Sequence, residues 1–210
     1  MNKKEIGRQT IHMTGGFIIV YLAYVIGSEL TSYACLFISV LILLFSEYTR
    51  KKERIEKEIP LKIKIIKELE NFALGIFNYF ERRSEIKKNP YFGAFAFFLV
   101  SAISFLSFPI EIASIAILVL AVCDSVTTLA GIHYGKHKIF WNKKKSIEGS
   151  VSGFFSSIVA CYIFSLFVQI PLTFILVAPL IGTVAESLPI PINDNIIIPI
   201  FVGIGLLVLL

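Results

Sequence analysis

Charge is scarce in this chain. Asp, Glu, Lys and Arg make up 17% of its 210 residues, where a soluble domain carries about a quarter. Cysteine is sparse too: Cys35, Cys123 and Cys161 each lie inside an apolar run. An odd, dispersed set provides neither a disulfide framework nor metal-ligand spacing, so these read as small apolar packing residues. The GxxxxGKS/T loop and the protein-kinase motif set are both missing, which excludes the two common ways of holding a nucleoside triphosphate. What fills the chain instead is apolar: 56% hydrophobic, 13% aromatic, mean hydropathy +0.78. These residues fall in long runs without charge, the pattern of transmembrane helices. A soluble fold and a free-standing nucleic-acid binder are excluded.

About seven runs reach spanning length, at 13–29, 32–48, 91–108, 111–131, 150–169, 172–188 and 194–210. The expected fold is an all-α, polytopic membrane helix bundle, with residues 1–210 as a single integral-membrane domain. The charged stretch Met1–Met13 is not followed by a small-residue cleavage site and reads as the start of a retained first helix.

Basic residues are absent from every second connection (Gly27–Ser32, Pro109–Glu111, Gln169–Leu172). Three of the 20 Lys and Arg precede the first run, twelve lie from Arg50 to Lys88, and five lie from Lys136 to Lys145. With seven spans all three segments fall on one side, which the positive-inside rule makes cytoplasmic. The N-terminus is then inside and the C-terminus outside. The segment 49–90 becomes a cytoplasmic loop, in which Leu61, Ile65, Leu69, Phe72, Ile76 and Phe80 recur at helical steps. This predicts an amphipathic helix over 61–80, lying in the membrane interface against lipid headgroups or packed over the bundle end.

A carboxylate near mid-bilayer costs about 2.5–3.5 kcal/mol and calls for a partner or a function. Asp124 follows the run Ile115–Cys123 and precedes a small, polar stretch. Glu186 precedes the Pro-rich turn Leu188–Pro191, and Asp194-Asn195 follow it. A helix–helix contact for Asp124 and a helix cap for Asp194-Asn195 are the structural alternatives. The connection 132–149 carries five Lys and ends at Ser146-Ile147-Glu148-Gly149-Ser150, where a helix N-terminus offers N–H groups and a positive dipole end to phosphate. Glu5, Arg8 and His12 share a helix face just before the first span. These groups map to the cytoplasmic face, where they can hold a polyanion through Lys and N–H, and Mg²⁺ through Asp, Glu and Asn. Mg²⁺ is commonly held by one or two carboxylates plus substrate phosphates, which suits a nucleoside triphosphate.

The run Asp124-x(6)-Gly131-x(3)-Gly135-Lys136, followed by Lys144-Lys145-Ser146-Ile147-Glu148-Gly149-Ser150, resembles the integral-membrane CTP-dependent lipid-alcohol kinases. That family includes dolichol and other polyprenol kinases, phytol kinase and the yeast-type diacylglycerol kinase. Glu5-x-x-Arg8-x-x-x-His12 and the ending Glu186…Asp194-Asn195-x-x-Ile198-Pro199 extend the resemblance through most of the chain. The central block is also similar to the CTP:phosphatidate cytidylyltransferases, but their KD…GHGG…DR-type ending is absent. Gln9 stands where the kinases often have Lys, and Thr127 where they often have Ala or Ser.

The resemblance implies γ-phosphoryl transfer from CTP to the hydroxyl of a lipid alcohol, dolichol or another polyprenol foremost. The alternatives are a cytidylyltransferase making a CDP-activated lipid and, more distantly, a transporter or channel. It implies Mg²⁺ on Asp124, Glu148, Asp194 and Asn195. Phosphates would be held by Gly131, Gly135, Lys136, Lys144, Lys145, Ser146, Gly149 and Ser150. Asp124, Glu186 or His12 would accept the hydroxyl proton, with Glu5 and Arg8 in support. The expected partners are CTP, the lipid alcohol and membrane lipids, with no nucleic acid. The expected setting is a multi-pass membrane protein whose loop 132–149 works at the cytoplasmic face.

Overall fold

Turn chemistry sets the helix boundaries. A computed structural model describes residues 3–58, Glu68, Asn71, Gly75 and 90–210. Helix α1 (Lys3–Val25) stops before Gly27, whose φ of 95° suits glycine, and α2 (Ser28–Glu58) starts at once. Helix α3 (Phe92–Ser107) leads to Pro109, which opens α4 (Ile110–Val119). The rod continues through one π-helical turn, Leu120–Asp124, into α5 (Ser125–Tyr134). Ser146 caps α6 (Ile147–Ser165) by accepting from Gly149 N at 3.2 Å. Pro171 opens α7 (Leu172–Ser187), and Asn193 caps α8 (Asp194–Leu207) by accepting from Asn195 N at 2.9 Å.

The regular elements among the described residues are all helices, apart from an isolated antiparallel bridge between Lys138 and Ser146. Each predicted run overlaps a helical segment, although the first crosses the Gly27 turn between α1 and α2. Three are long and apolar enough to cross a membrane: Ser28–Lys51, Ile110–Tyr134 and Ile147–Ser165. Helices α3 and α7 have 16 residues each and α8 has 14. At 1.5 Å per residue they reach about 24 Å or less, short of the roughly 30 Å apolar core. The predicted amphipathic helix 61–80 lies outside the described residues, except for Glu68, Asn71 and Gly75, which are helical and exposed.

Every residue from Ile112 to Cys123 is buried, so the α4 rod is the axis of the bundle. The outer helices turn large apolar side chains outward, among them Tyr21, Leu30, Phe37, Phe155, Tyr162 and Leu172. Apolar inside and apolar outside is the signature of a helix bundle in lipid. Close packing depends on small residues, as expected where lipid removes the hydrophobic drive between helices. A Cβ on Gly16 would collide with Ala121, and one on Gly182 with Val119.

Candidate active site

Three carboxylates from three different elements converge. Asp124 ends the π turn of the central rod, Glu186 sits in the last turn of α7, and Asp194 opens α8. One oxygen of each lies within 4.8 Å of the other two. The local sequence explains the meeting. Pro189 and Pro191 end α7 and forbid its continuation, so the chain reverses and brings Glu186 beside Asp194. The π turn inserts an extra residue per turn in the rod, a feature frequent at functional sites, and Asp124 is its last residue.

Like charges this close repel, and a counter-charge answers them. Lys145 Nζ donates to Glu186 Oε1 and, at 2.9 Å, to Asp194 Oδ2. Burial works against its charge, yet Glu186, Asp194 and Asp124 together push the ammonium's pKa up, so Lys145 is a fixed cation. One ammonium does not balance three carboxylates. The second Glu186 oxygen is buried without a hydrogen-bond partner among the described residues. An all-oxygen donor set with an unsatisfied buried oxygen fits a hard divalent cation such as Mg²⁺.

His12 reaches this cluster from α1. Its Nε2 is 3.8 Å from Asp124 Oδ2, is buried, and has no hydrogen bond among the described residues. The ring packs at 4.6 Å from Phe97. One turn earlier, Ser125 Oγ donates to Gln9 O at 3.2 Å, which ties α1 to the rod beside Asp124. Gln9 Nε2 donates to Glu5 Oε1 at 3.2 Å, and Arg8 pairs with the same oxygen. Glu5 and Arg8 thus stabilise the helix that presents His12. Asn195 does the same for α8, its Nδ2 donating to Gly93 O at 2.8 Å.

Glu148 is placed differently. Its Oε1 is 2.6 Å from His137 Nδ1, and both its oxygens accept from His137 N, at 3.1 and 3.2 Å. It clamps the loop and does not join the other three acids. His133, expected in that loop, lies instead in the last turn of α5 with Nδ1 2.9 Å from Leu129 O. The three glycines of this region sit close to Ser146. A Cβ on Gly131, Gly135 or Gly149 would press on Ser146 Oγ, at 3.2, 2.7 and 3.0 Å respectively. Three first-turn amides of α6 are taken within the protein: Ile147 N donates to His137 O at 2.9 Å, Gly149 N to Ser146 Oγ, and Ser150 N to Ser146 O at 3.0 Å. The Ser150 hydroxyl is buried without a partner among the described residues. Lys136 and Lys144 are exposed on the loop.

Sequence reading missed Trp141 and Asn142, which join the loop to Ser187 and Leu188. The only available signal was an aromatic and an amide inside a lysine-rich loop. The N-terminal turns, the start of α3 beside Asn195 and the lysine loop all meet at one end of the bundle. The N-terminal basic turn and the lysine loop therefore share an end in the fold, while most of the basic segment from Arg50 to Lys88 lies outside the described residues.

Residues 89–190 match the Cytidylyltransferase family, a stretch that holds Asp124, the lysine loop and Glu186. CTP-dependent diacylglycerol kinase 1 of Schizosaccharomyces pombe is 31% identical over 129 residues, covering 55% of this chain and 59% of the relative. Phytol kinase 1, chloroplastic, of Arabidopsis thaliana is 30% identical over 133 residues, covering 57% of this chain and 42% of the relative. The chain thus spans less than two thirds of the length of these curated relatives. No solved structure matches. Residues 89–190 thus match the Cytidylyltransferase family model, and the chain is similar in sequence to CTP-dependent diacylglycerol kinase 1 and to phytol kinase 1.

Proposed function

We propose that the chain transfers the γ-phosphoryl group of CTP to the hydroxyl of a lipid alcohol, with dolichol or another polyprenol as the first candidate. The observation that carries this reading is the meeting of Asp124, Glu186 and Asp194 within 4.8 Å, with Lys145 bonded to two of them. Phosphoryl transfer needs positioning and charge neutralisation more than covalent help. Asp124, Glu186 and Asp194 would hold Mg²⁺, with Asn195 beside them and Glu148 serving the loop. When bound, that ion neutralises charge on the nucleotide phosphates. Lys136, Lys144 and Lys145 supply the remaining positive charge, since the Ile147, Gly149 and Ser150 amides are bonded within the protein. The lipid hydroxyl oxygen bonds to the γ-phosphorus as the bond to the β-phosphate oxygen breaks, and CDP leaves. With Asp124 and Glu186 committed to the cation, His12 Nε2 accepts the hydroxyl proton.

In this reading the bundle has seven spans and its N-terminus is cytoplasmic. Residues 1–210 form one membrane domain, and 49–90 and 132–149 are its cytoplasmic loops. The lipid tail enters from the bilayer between helices.

The family name over residues 89–190 favours one second reading, nucleotidyl transfer from CTP to a phospholipid by attack on the α-phosphorus. Purified chain is given CTP labelled at the α or the γ position, with a panel of lipid alcohols and phosphatidate. Label from the γ position in a lipid monophosphate is the expected result. Label from the α position in the lipid product selects the cytidylyltransferase.

A further inference from the structure

The lysine loop between α5 and α6 is held by more than its two ends. Asn142 N donates to Ile139 O at 3.2 Å, and Asn142 O accepts from Lys145 N at 3.0 Å. Its side-chain Oδ1 accepts from Lys144 N at 3.2 Å. Its Nδ2 donates to Ser187 O at 3.2 Å and Leu188 O at 3.4 Å. Trp141 Nε1, next in the chain, donates to Ser187 O at 3.1 Å. Asparagine often bonds its own turn, and the contact with Lys144 is of that kind. The contacts with Ser187 and Leu188 are not: they cross to another helix, at the residues directly after Glu186. One amide therefore links the backbone of the lysine pair to the backbone beside the buried carboxylate that Lys145 reaches.

We propose that Asn142 is a positioning residue, which docks the lysine loop on the C-terminal end of α7 and so sets where Lys144 and Lys145 present their charge. Its kinetic consequence rests on the reading above, in which these lysines hold CTP phosphates. Trp141 is the only tryptophan in the chain, so its emission reports docking without a label.

The experiment has two arms, both on the full chain in detergent. Without nucleotide, Asn142→Ala shifts Trp141 emission to the red and steepens acrylamide quenching; wild-type emission and quenching overturn the docking role. With CTP, Mg²⁺ and the lipid alcohol that wild type phosphorylates, Asn142→Ala raises KM for CTP about tenfold, the scale of lost bonds positioning a charged group. The kcat changes less than about threefold. Asn142→Gln keeps the amide and recovers part of the KM. A residue that matters only for folding would lower kcat and protein yield together, without this split or rescue, and that result overturns the proposal. Should Asn142→Ala not fold, Asn142→Ser, which also lacks Nδ2, takes its place in both arms. If wild type phosphorylates no lipid alcohol, the kinase reading fails, and the emission arm alone decides the docking.

Discussion

Glu186 and Glu148 are two glutamates near one end of the bundle, and their surroundings are opposite. The Glu186 side chain is 0% exposed, stands with Asp124 and Asp194, and keeps one oxygen without a partner among the described residues. Glu148 is 26% exposed, and both of its oxygens accept bonds from His137. A carboxylate satisfied by protein donors has little need of a cation. A group of three facing one ammonium does, because burying unbalanced charge costs several kcal/mol per ion. Charge balance, more than motif membership, separates the acid that would serve the reaction from the acid that would serve the loop.

That contrast can be attacked directly. The largest effect should come from Asp124→Asn, which keeps the shape but removes a charge from the cluster. CTP-dependent phosphorylation of lipid should fall about 10³-fold or more, the scale of lost electrostatic stabilisation. Insertion into the membrane should be unchanged. Activity within tenfold of wild type would remove Asp124 from the site.

Lys145→Met leaves the three carboxylates without their ammonium. Breaking a buried pair costs about 3 kcal/mol, so the melting temperature should fall. Millimolar Mg²⁺ should restore more stability to this variant than to wild type, as the cation takes up the uncompensated charge. Equal Mg²⁺ responses in the two proteins would contradict a cation-binding cluster. The smallest effect belongs to Glu148→Gln, which loosens the loop clamp while leaving the acids intact. The expected change is a rise in CTP KM of less than about fivefold, with kcat near wild type.

Much of this architecture was legible in the sequence. Charge-free runs located the helices, because a lipid-embedded helix must be apolar all round. The isolated acids stood out for the same reason: Asp124, Glu186 and Asp194 interrupt segments where a charge is expensive. Placement of the basic residues predicted one shared end, and the N-terminal turns and the lysine loop do meet there among the described residues. Three things were hidden. Glu148 looked equivalent to the other acids, since spacing cannot show that His137 folds back on it. The glycines at 131, 135 and 149 read as a phosphate cradle, and spacing alone could not show how closely Ser146 packs against all three. The π turn and the Asn142 contacts depend on tertiary packing between segments about 45 residues apart, which local periodicity does not encode.

Manganese binding followed by electron paramagnetic resonance tests the central contrast most directly, because Mn²⁺ replaces Mg²⁺ at oxygen sites and reports its own binding without turnover. Wild type and Glu148→Gln, each with CTP, should bind Mn²⁺ alike, while Asp124→Asn and Asp194→Asn should bind at least about tenfold more weakly. Loss of Mn²⁺ in Glu148→Gln, with retention in Asp124→Asn and Asp194→Asn, would contradict the account.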